Sequence, residues 1–191
     1  MAERQAAPDV TTRLLSVDDV PELTSLVSRN REFLAPWDPV TPDRAFTASG
    51  QREVVEGALT RHEQGEMLPH VIVLDGEIVG RINLASITYR AFHSAGMGYW
   101  VSQEHNGRGV ATAAVGAMLG HAFDALGLHR VQAETLVHNH ASQRVLEHNA
   151  FERIGYAPAY LRIAGTWQDH VLFQRINPGW VEPGEPGPAT R

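Results

Sequence analysis

Two apolar rhythms alternate along the chain. Val10-Thr11-Thr12-Arg13-Leu14-Leu15 is rich in β-branched residues and predicts a short strand. Ser16 then stands where a helix N-cap belongs, with Asp18 and Asp19 in the first turn. Val20, Leu23, Leu26 and Val27 follow at helical spacing. Asn30-Arg31-Glu32-Phe33-Leu34 extends that helix or begins a second, and Ala35-Pro36-Trp37-Asp38-Pro39 breaks it. Another helix is predicted from Asp43 to Gln64, with Phe46, Val54, Val55, Ala58 and Leu59 as its apolar face.

The rhythm then shortens. His70 to Leu74 reads as a strand, Asp75-Gly76 as a hairpin turn, and Glu77 to Leu84 as the returning strand. Ser94 to Val101 is a further strand, whose glycines mark a bulge or the close approach of a ligand. A helix is predicted from Val110 to Leu126, stopped by Gly127. His129 to Val137 is a strand, Asn139 opens a short helix to Asn149, and Glu152–Ile163 and Gln168–Ile176 are two closing strands.

This order predicts an α/β (α+β) fold: a mixed, largely antiparallel sheet of about seven strands, flanked on both faces by about four helices. One domain is expected over residues 10–177. Residues 1–9 are polar or small and read as a flexible N-terminus. Prolines and glycines prevent regular structure in residues 178–191, which read as a disordered or draped tail.

Composition narrows the chemistry. The 191 residues include no cysteine, so disulfides, thiolate metal sites and a thiol nucleophile are excluded. All 16 basic residues are arginine, which removes Schiff-base chemistry and a Walker lysine. A net charge of −6 argues against general nucleic-acid binding and suits a small or basic partner. With no membrane-length apolar run and no secretory pattern at the N-terminus, a cytoplasmic location is expected, without a membrane partner. Of the 10 histidines, His138-x-His140 is the closest pair, and no His-Glu-x-x-His or comparable set exists, so no metal is expected.

One stretch suggests a site. After the strand ending at Val101 comes a loop, then Asn106-Gly107-Arg108-Gly109-Val110-Ala111-Thr112 entering a helix. Glycines there let successive backbone N–H groups turn toward one point, and the helix N-terminus adds positive charge, which together suit a pyrophosphate. Arg108 can add a phosphate contact, and Ala111 and Thr112 are small enough for close approach. The same pattern also serves as a plain tight loop. A dinucleotide fingerprint fits poorly, because Thr112 stands where glycine or alanine belongs and the turn comes late in the chain.

Asn106 to Ala111 resembles the acyl-CoA pyrophosphate loop of GNAT-superfamily N-acetyltransferases. His129-Arg130-Val131, Asn139-x-x-Ser142, Arg144-Val145-Leu146-Glu147, Ala150-Phe151, Gly155-Tyr156, Tyr160-Leu161 and Gly165-x-Trp167-x-Asp169-His170 resemble its RimJ/RimL branch. So do Arg13-Leu14-Leu15, Asn30-Arg31-x-Phe33-Leu34 and Trp37. Asn106 replaces the usual glutamine, and Ala150 replaces a usual glycine, with Asn149 expected to take the left-handed cap instead.

The resemblance implies acetyl-CoA as cofactor and an amine acceptor as partner, in a monomer or homodimer. Acetyl would pass directly to a protein N-terminal α-amine, since a cysteine acyl-enzyme is impossible. The resemblance further implies that Trp100, Val101, Asn139 and Arg144 contact the cofactor along with the glycine loop. It also implies that Val101 N–H faces the oxyanion and that Ser142 protonates or holds the thiolate. Glu134 is the candidate base, with Asp169, His170 and Tyr160 as alternatives. The tyrosine acid of other branches has no counterpart, because Leu146 occupies the corresponding helix position. Asn30, Arg31, Phe33, Trp37, Tyr160 and Asp169 are candidate acceptor-site residues. Acetylation of a small-molecule amine (an antibiotic, polyamine or aminoacyl-nucleotide) and a non-catalytic CoA-binding module are the rival readings.

Overall fold

The computed structural model describes residues 9–182. The predicted termini lie partly beyond it: residues 1–8 and 183–191 are outside the described residues. Seven strands form one sheet: β1 (Val10–Leu14), β2 (Met67–Leu74), β3 (Glu77–Thr88), β4 (Ser94–Val101), β5 (Arg130–Leu136), β6 (Glu152–Ile163) and β7 (Thr166–Ile176). The helices are α1 (Val20–Arg29), α2 (Arg31–Leu34), α3 (Ala48–Glu63), α4 (Val110–Gly120) and α5 (His140–His148). Spatial strand order is β1-β2-β3-β4-β5-β7-β6, and every neighbouring pair is antiparallel except β4–β5.

Local chemistry explains most boundaries. Ser16 and Asp19 form a reciprocal capping box ahead of α1. Burial alone would raise the Asp19 carboxyl, but the Arg13 guanidinium and Ser16 N–H outweigh it and hold the carboxyl below its usual range. Asp75 and Gly76, at φ 51° and 90°, make the β2–β3 turn, as the Asp-Gly pair predicts.

Two layers cover the sheet. On one face, α4 and α5 bury Val110, Ala114, Val115, Met118 and Leu146 against Ile72, Ile82, Leu84 and Val131. On the other, α1 and α3 bury Leu23, Leu26 and Val55 against Val71 and Ile78. Together these clusters remove large apolar areas from water, which drives the layers together.

Several expectations need correction. The helix expected over 43–64 is broken: Asp43–Phe46 is a 3-10 turn, Thr47 is extended, and the Thr47 hydroxyl caps α3 by accepting from Gly50 N–H. Phe46 therefore leaves the α3 face, and Val54 points outward at 41% exposure. The last turn of the helix after α4 winds wider, as a π-turn over His121–Ala125. The β4 glycines make no bulge; the irregular pairing falls between Ala85 and Thr88, where Ser86 has φ 52°. After α5, Ala150 takes the left-handed conformation at φ 55°, while Asn149 at φ −95° does not. Asn149 instead donates to Thr112 O and Val145 O, tying α5 to α4.

The start of the predicted tail is held down. Asn177 N–H donates to His129 O, and Trp180 Nε1 donates to Gly127 O at 3.1 Å. The Trp180 ring packs edge-on to His93 and His129, with centroids 5.5 and 5.1 Å away.

Candidate active site

The parallel pairing of β4 and β5 lasts for three residue pairs: Ser94 with Arg130, Ala95 with Val131 and Gly96 with Gln132. Beyond Gly96 the strands part. Met97–Val101 and Ala133–Leu136 then line opposite walls of a cleft of about 760 Å³. Splitting leaves strand edges without partners, and such groups are costly unless a ligand satisfies them. Thr135 Oγ1 is likewise buried in this wall without a hydrogen-bond partner among the described residues. Because Ser102 N–H donates to Val79 O on β3, antiparallel alternation turns Val101 N–H the opposite way, across the split.

The glycine loop closes one end of the cleft. Gly107 and Gly109 sit at φ 73° and 80°, and a Cβ added to either would meet nothing within 4 Å. Gly109 is the N-cap of α4 and offers no side-chain cap, so the first-turn N–H groups have no side-chain acceptor. An α4 N-terminus bare in this way, beside an open glycine cradle, fits an anionic group of pyrophosphate kind. Asn106, Gly107, Gly109, Val110, Ala111 and Thr112 all line the cleft, whereas Arg108 lies on the exposed surface of the loop.

Across the cleft, Asn139 caps α5: its Oδ1 accepts from Ser142 N–H at 3.1 Å. This leaves the Asn139 Nδ2 and the Ser142 hydroxyl for other partners. The hydroxyl meets Tyr99 Oη at 2.8 Å. Tyr99 comes from β4, on the face shared with Met97 and Val101, and reaches a helix 43 residues away. Burial pushes its phenol up to about 12, with the Ser142 bond opposing, so Tyr99 remains a protonated donor near neutral pH. Sequence spacing does not reveal this pair; strand alternation places the Tyr99 ring on the correct face but cannot identify its partner.

Glu134 projects from β5 into the cleft, and Arg144 lines it from α5. Burial raises the Glu134 carboxyl above its ordinary value, and the nearby His170 opposes the rise. His170, an alternative base, is itself buried at the cleft wall, its Nδ1 against Gln168 O. Asp38 also lines the cleft, and burial raises its carboxyl too. The sequence reading passed over Asp38, Asn83 and Tyr99 as site residues.

The six candidate acceptor residues do not gather in one place. Phe33 and Trp37 line the cleft, with Trp37 packed 5.5 Å from His138. Asn30 is 3% exposed and faces inward. Its side chain donates to Leu26 O and Ser102 Oγ and accepts from Gln103 N–H, fixing the residues that follow Val101. Arg31 pairs with Asp43 and lies over Phe46, in a neighbouring chamber. Tyr160 lines a smaller cavity of about 200 Å³, and the Asp169 carboxylate accepts from Tyr156 Oη and Ala159 N–H.

The split parallel pair beside a glycine-capped helix gives the chain a deep cleft with an anion cradle at one end, and comparison with known proteins identifies its class. The acetyltransferase (GNAT) domain family matches residues 9–152, and the chain belongs to that family. Among its relatives, the [ribosomal protein uS5]-alanine N-acetyltransferase of Escherichia coli is 31% identical, over 90% of this chain and 90% of that protein. The structure of Mycobacterium smegmatis RimJ in complex with CoA-disulfide superposes with a TM-score of 0.85 at 34% identity, over 87% of this chain and 81% of that one. The ribosomal-protein-S5-alanine acetyltransferase from Vibrio fischeri superposes at 0.86 and 31%, over 91% and 96%.

Proposed function

We propose that this protein transfers acetyl directly from acetyl-CoA to the N-terminal α-amine of a protein, acting in the cytoplasm. The observation that carries the acceptor class is the 31% identity, across 90% of both chains, to an enzyme that acetylates a ribosomal protein's terminal alanine. The cofactor supplies an activated thioester; the chain supplies orientation, charge stabilisation and proton handling. Gly107, Gly109 and the first N–H groups of α4 bind the pyrophosphate, with Arg144 adding charge from α5 and Arg108 only from the outer surface of the loop. Val101 offers backbone groups across the split, Trp100, whose own N–H and C=O face β3, offers only its side chain, and Asn139 contributes its Nδ2. Val101 N–H is aimed to stabilise negative charge developing on the acyl oxygen.

The Ser142 hydroxyl, polarised by the Tyr99 phenol, delivers the proton that the departing thiolate needs. The raised carboxyl of Glu134 can take a proton from the incoming amine, directly or through water. An α-amine with a pKa of about 8 is already partly neutral at pH 7, so the demand on this base is modest.

The test is an acceptor panel. Purified protein and acetyl-CoA are offered N-terminal peptides, including those of ribosomal proteins, together with small-molecule amines, and products are read by mass. Acetylation at a peptide α-amine is expected. Turnover confined to small amines would replace the acceptor class, and CoA binding without any turnover would leave a binding module.

A further inference from the structure

A second chamber of about 420 Å³ adjoins the cleft. Leu34, Asp38 and Trp100 line both spaces and form the wall between them. Its size lies within the range of small-ligand pockets. The floor is apolar, with Val27, Leu34, Phe46 and the Trp100 indole. The β6–β7 turn closes one side: Ala164 N–H donates to Asp38 O at 2.9 Å.

The polar groups of this chamber share one character. The Asp38 side chain has no hydrogen-bond or salt-bridge partner among the described residues, and no basic side chain offsets the burial that raises its carboxyl. Gln51 is 5% exposed. Its Nε2 donates to Ala45 O, which fixes the amide orientation and leaves Oε1 buried with no donor. Arg31, the basic residue of the wall, is engaged by Asp43 and stacked on Phe46. The Asp38 carboxyl thus stands without a donor in an aromatic-walled space beside the reacting centre, while Gln51 Oε1 is closed off within the wall. Unsatisfied groups of this kind are expensive unless something supplies donors. A cation on an apolar stem matches the two features that face this space: charge for Asp38 and a face for Trp100.

We propose that this chamber is an acceptor subsite that receives a cationic side chain carried next to the reacting amine, as on the second residue of an acceptor peptide. The proposal rests on the acetyltransferase reading and adds the specificity that the reading lacks. Arg31, offered above for the acceptor groove, then shapes the wall, with its charge partnered by Asp43.

The experiment compares matched acceptors that differ only in that charge. One pair is Ala-Arg and Ala-citrulline peptides of otherwise identical sequence; the other is 1,5-diaminopentane and 1-aminopentane. The ratio of kcat/KM within each pair is measured for the wild type, Asp38→Asn and Asp38→Lys. A preference of at least tenfold for the charged member is expected in the wild type. The ratio should collapse toward one in Asp38→Asn and invert in Asp38→Lys. Because a ratio within one protein cancels partial unfolding, a damaged variant still reports. Peptide turnover with equal kcat/KM for both members, or a preference untouched by both substitutions, overturns the subsite and leaves the acceptor class standing. Discrimination seen among the small amines without peptide turnover overturns the acceptor class and leaves the subsite. No turnover with any acceptor overturns both.

Discussion

Gly80 lies in β3 opposite Val101, and substituting alanine there tests how the cleft wall is held. A Cβ at Gly80 would stand 2.2 Å from the Trp100 carbonyl oxygen and 3.0 Å from Val101 Cα, both backbone atoms. Ordinary contact begins at 3.4 Å, so β4 must retreat by about 1 Å at the segment that forms the cleft edge. Overpacking of this kind costs about 1–3 kcal/mol. For a chain of this length each kcal/mol lowers Tm by about 2–4 °C, giving an expected drop of about 2–12 °C. Displacing Val101 N–H by the same amount misaligns the proposed oxyanion donor, and a shift of about 1 Å can lower turnover about a hundredfold.

The control is Gly96→Ala in the neighbouring strand β4, where the new Cβ meets Ala85 O at an unstrained 3.8 Å. Thermal unfolding and thiol release from acetyl-CoA read the two effects. Gly80→Ala should lose both stability and kcat, and Gly96→Ala neither. A Gly80→Ala protein with wild-type Tm and turnover would refute the argument. So would equal losses in both variants, which would point to strand glycines in general rather than to the Trp100 carbonyl.

Four further outcomes follow from the geometry. Ser142→Ala should lower kcat with little change in acetyl-CoA affinity, and Tyr99→Phe should lower it less; equal activity of both with wild type would remove the pair from proton delivery. Glu134→Gln should leave the acid-side break of the acceptor amine at about 8 in kcat/KM but remove the lower break, which lies above the ordinary carboxylate range because burial raises this carboxyl; an unchanged profile would exclude Glu134 as base. Gly109→Val should raise the acetyl-CoA KM at least tenfold, since φ 80° strains a β-branched residue and the added methyls enter the cradle; unaltered kinetics would sink the pyrophosphate assignment. His70 is held down at about 4 by burial, with His121 and His62 adding repulsion. Below its ordinary 6.5 the unfolded chain therefore binds the proton first, so stability falls with pH until about 4, by about 3 kcal/mol in total, and His70→Phe should lack that loss in denaturant titrations at pH 7 and 4.

Strand and helix order was legible because apolar period and turn chemistry act locally. Asp75-Gly76 set its hairpin and Ser16 its cap without help from distant residues. The glycine loop was legible for the same reason: positive φ and a bare helix end belong to consecutive residues. What stayed hidden depends on contacts between remote segments. The break of the Asp43–Gln64 stretch at Thr47 is the exception: it is local, the Thr47 hydroxyl capping α3 from Gly50 N–H and donating to Arg44 O, and the apolar periodicity masks that cap. Asn30 looked like a groove residue because polar side chains are usually exposed, yet its amide is fully used by Leu26, Ser102 and Gln103. In the sequence Asp38 stands only in a helix-breaking loop. Its standing at the junction of two cavities needed the fold.

Trp180 touches His93, which leads into β4, and His129, which leads into β5. The two strands that diverge into the cleft are thus riveted at their closed end by the last described stretch of chain. A wedge hinged on three rungs takes its gape from whatever clamps its apex. A chain cut before Trp180 would keep every residue that lines the cleft, but not the clamp that sets how wide its jaws stand.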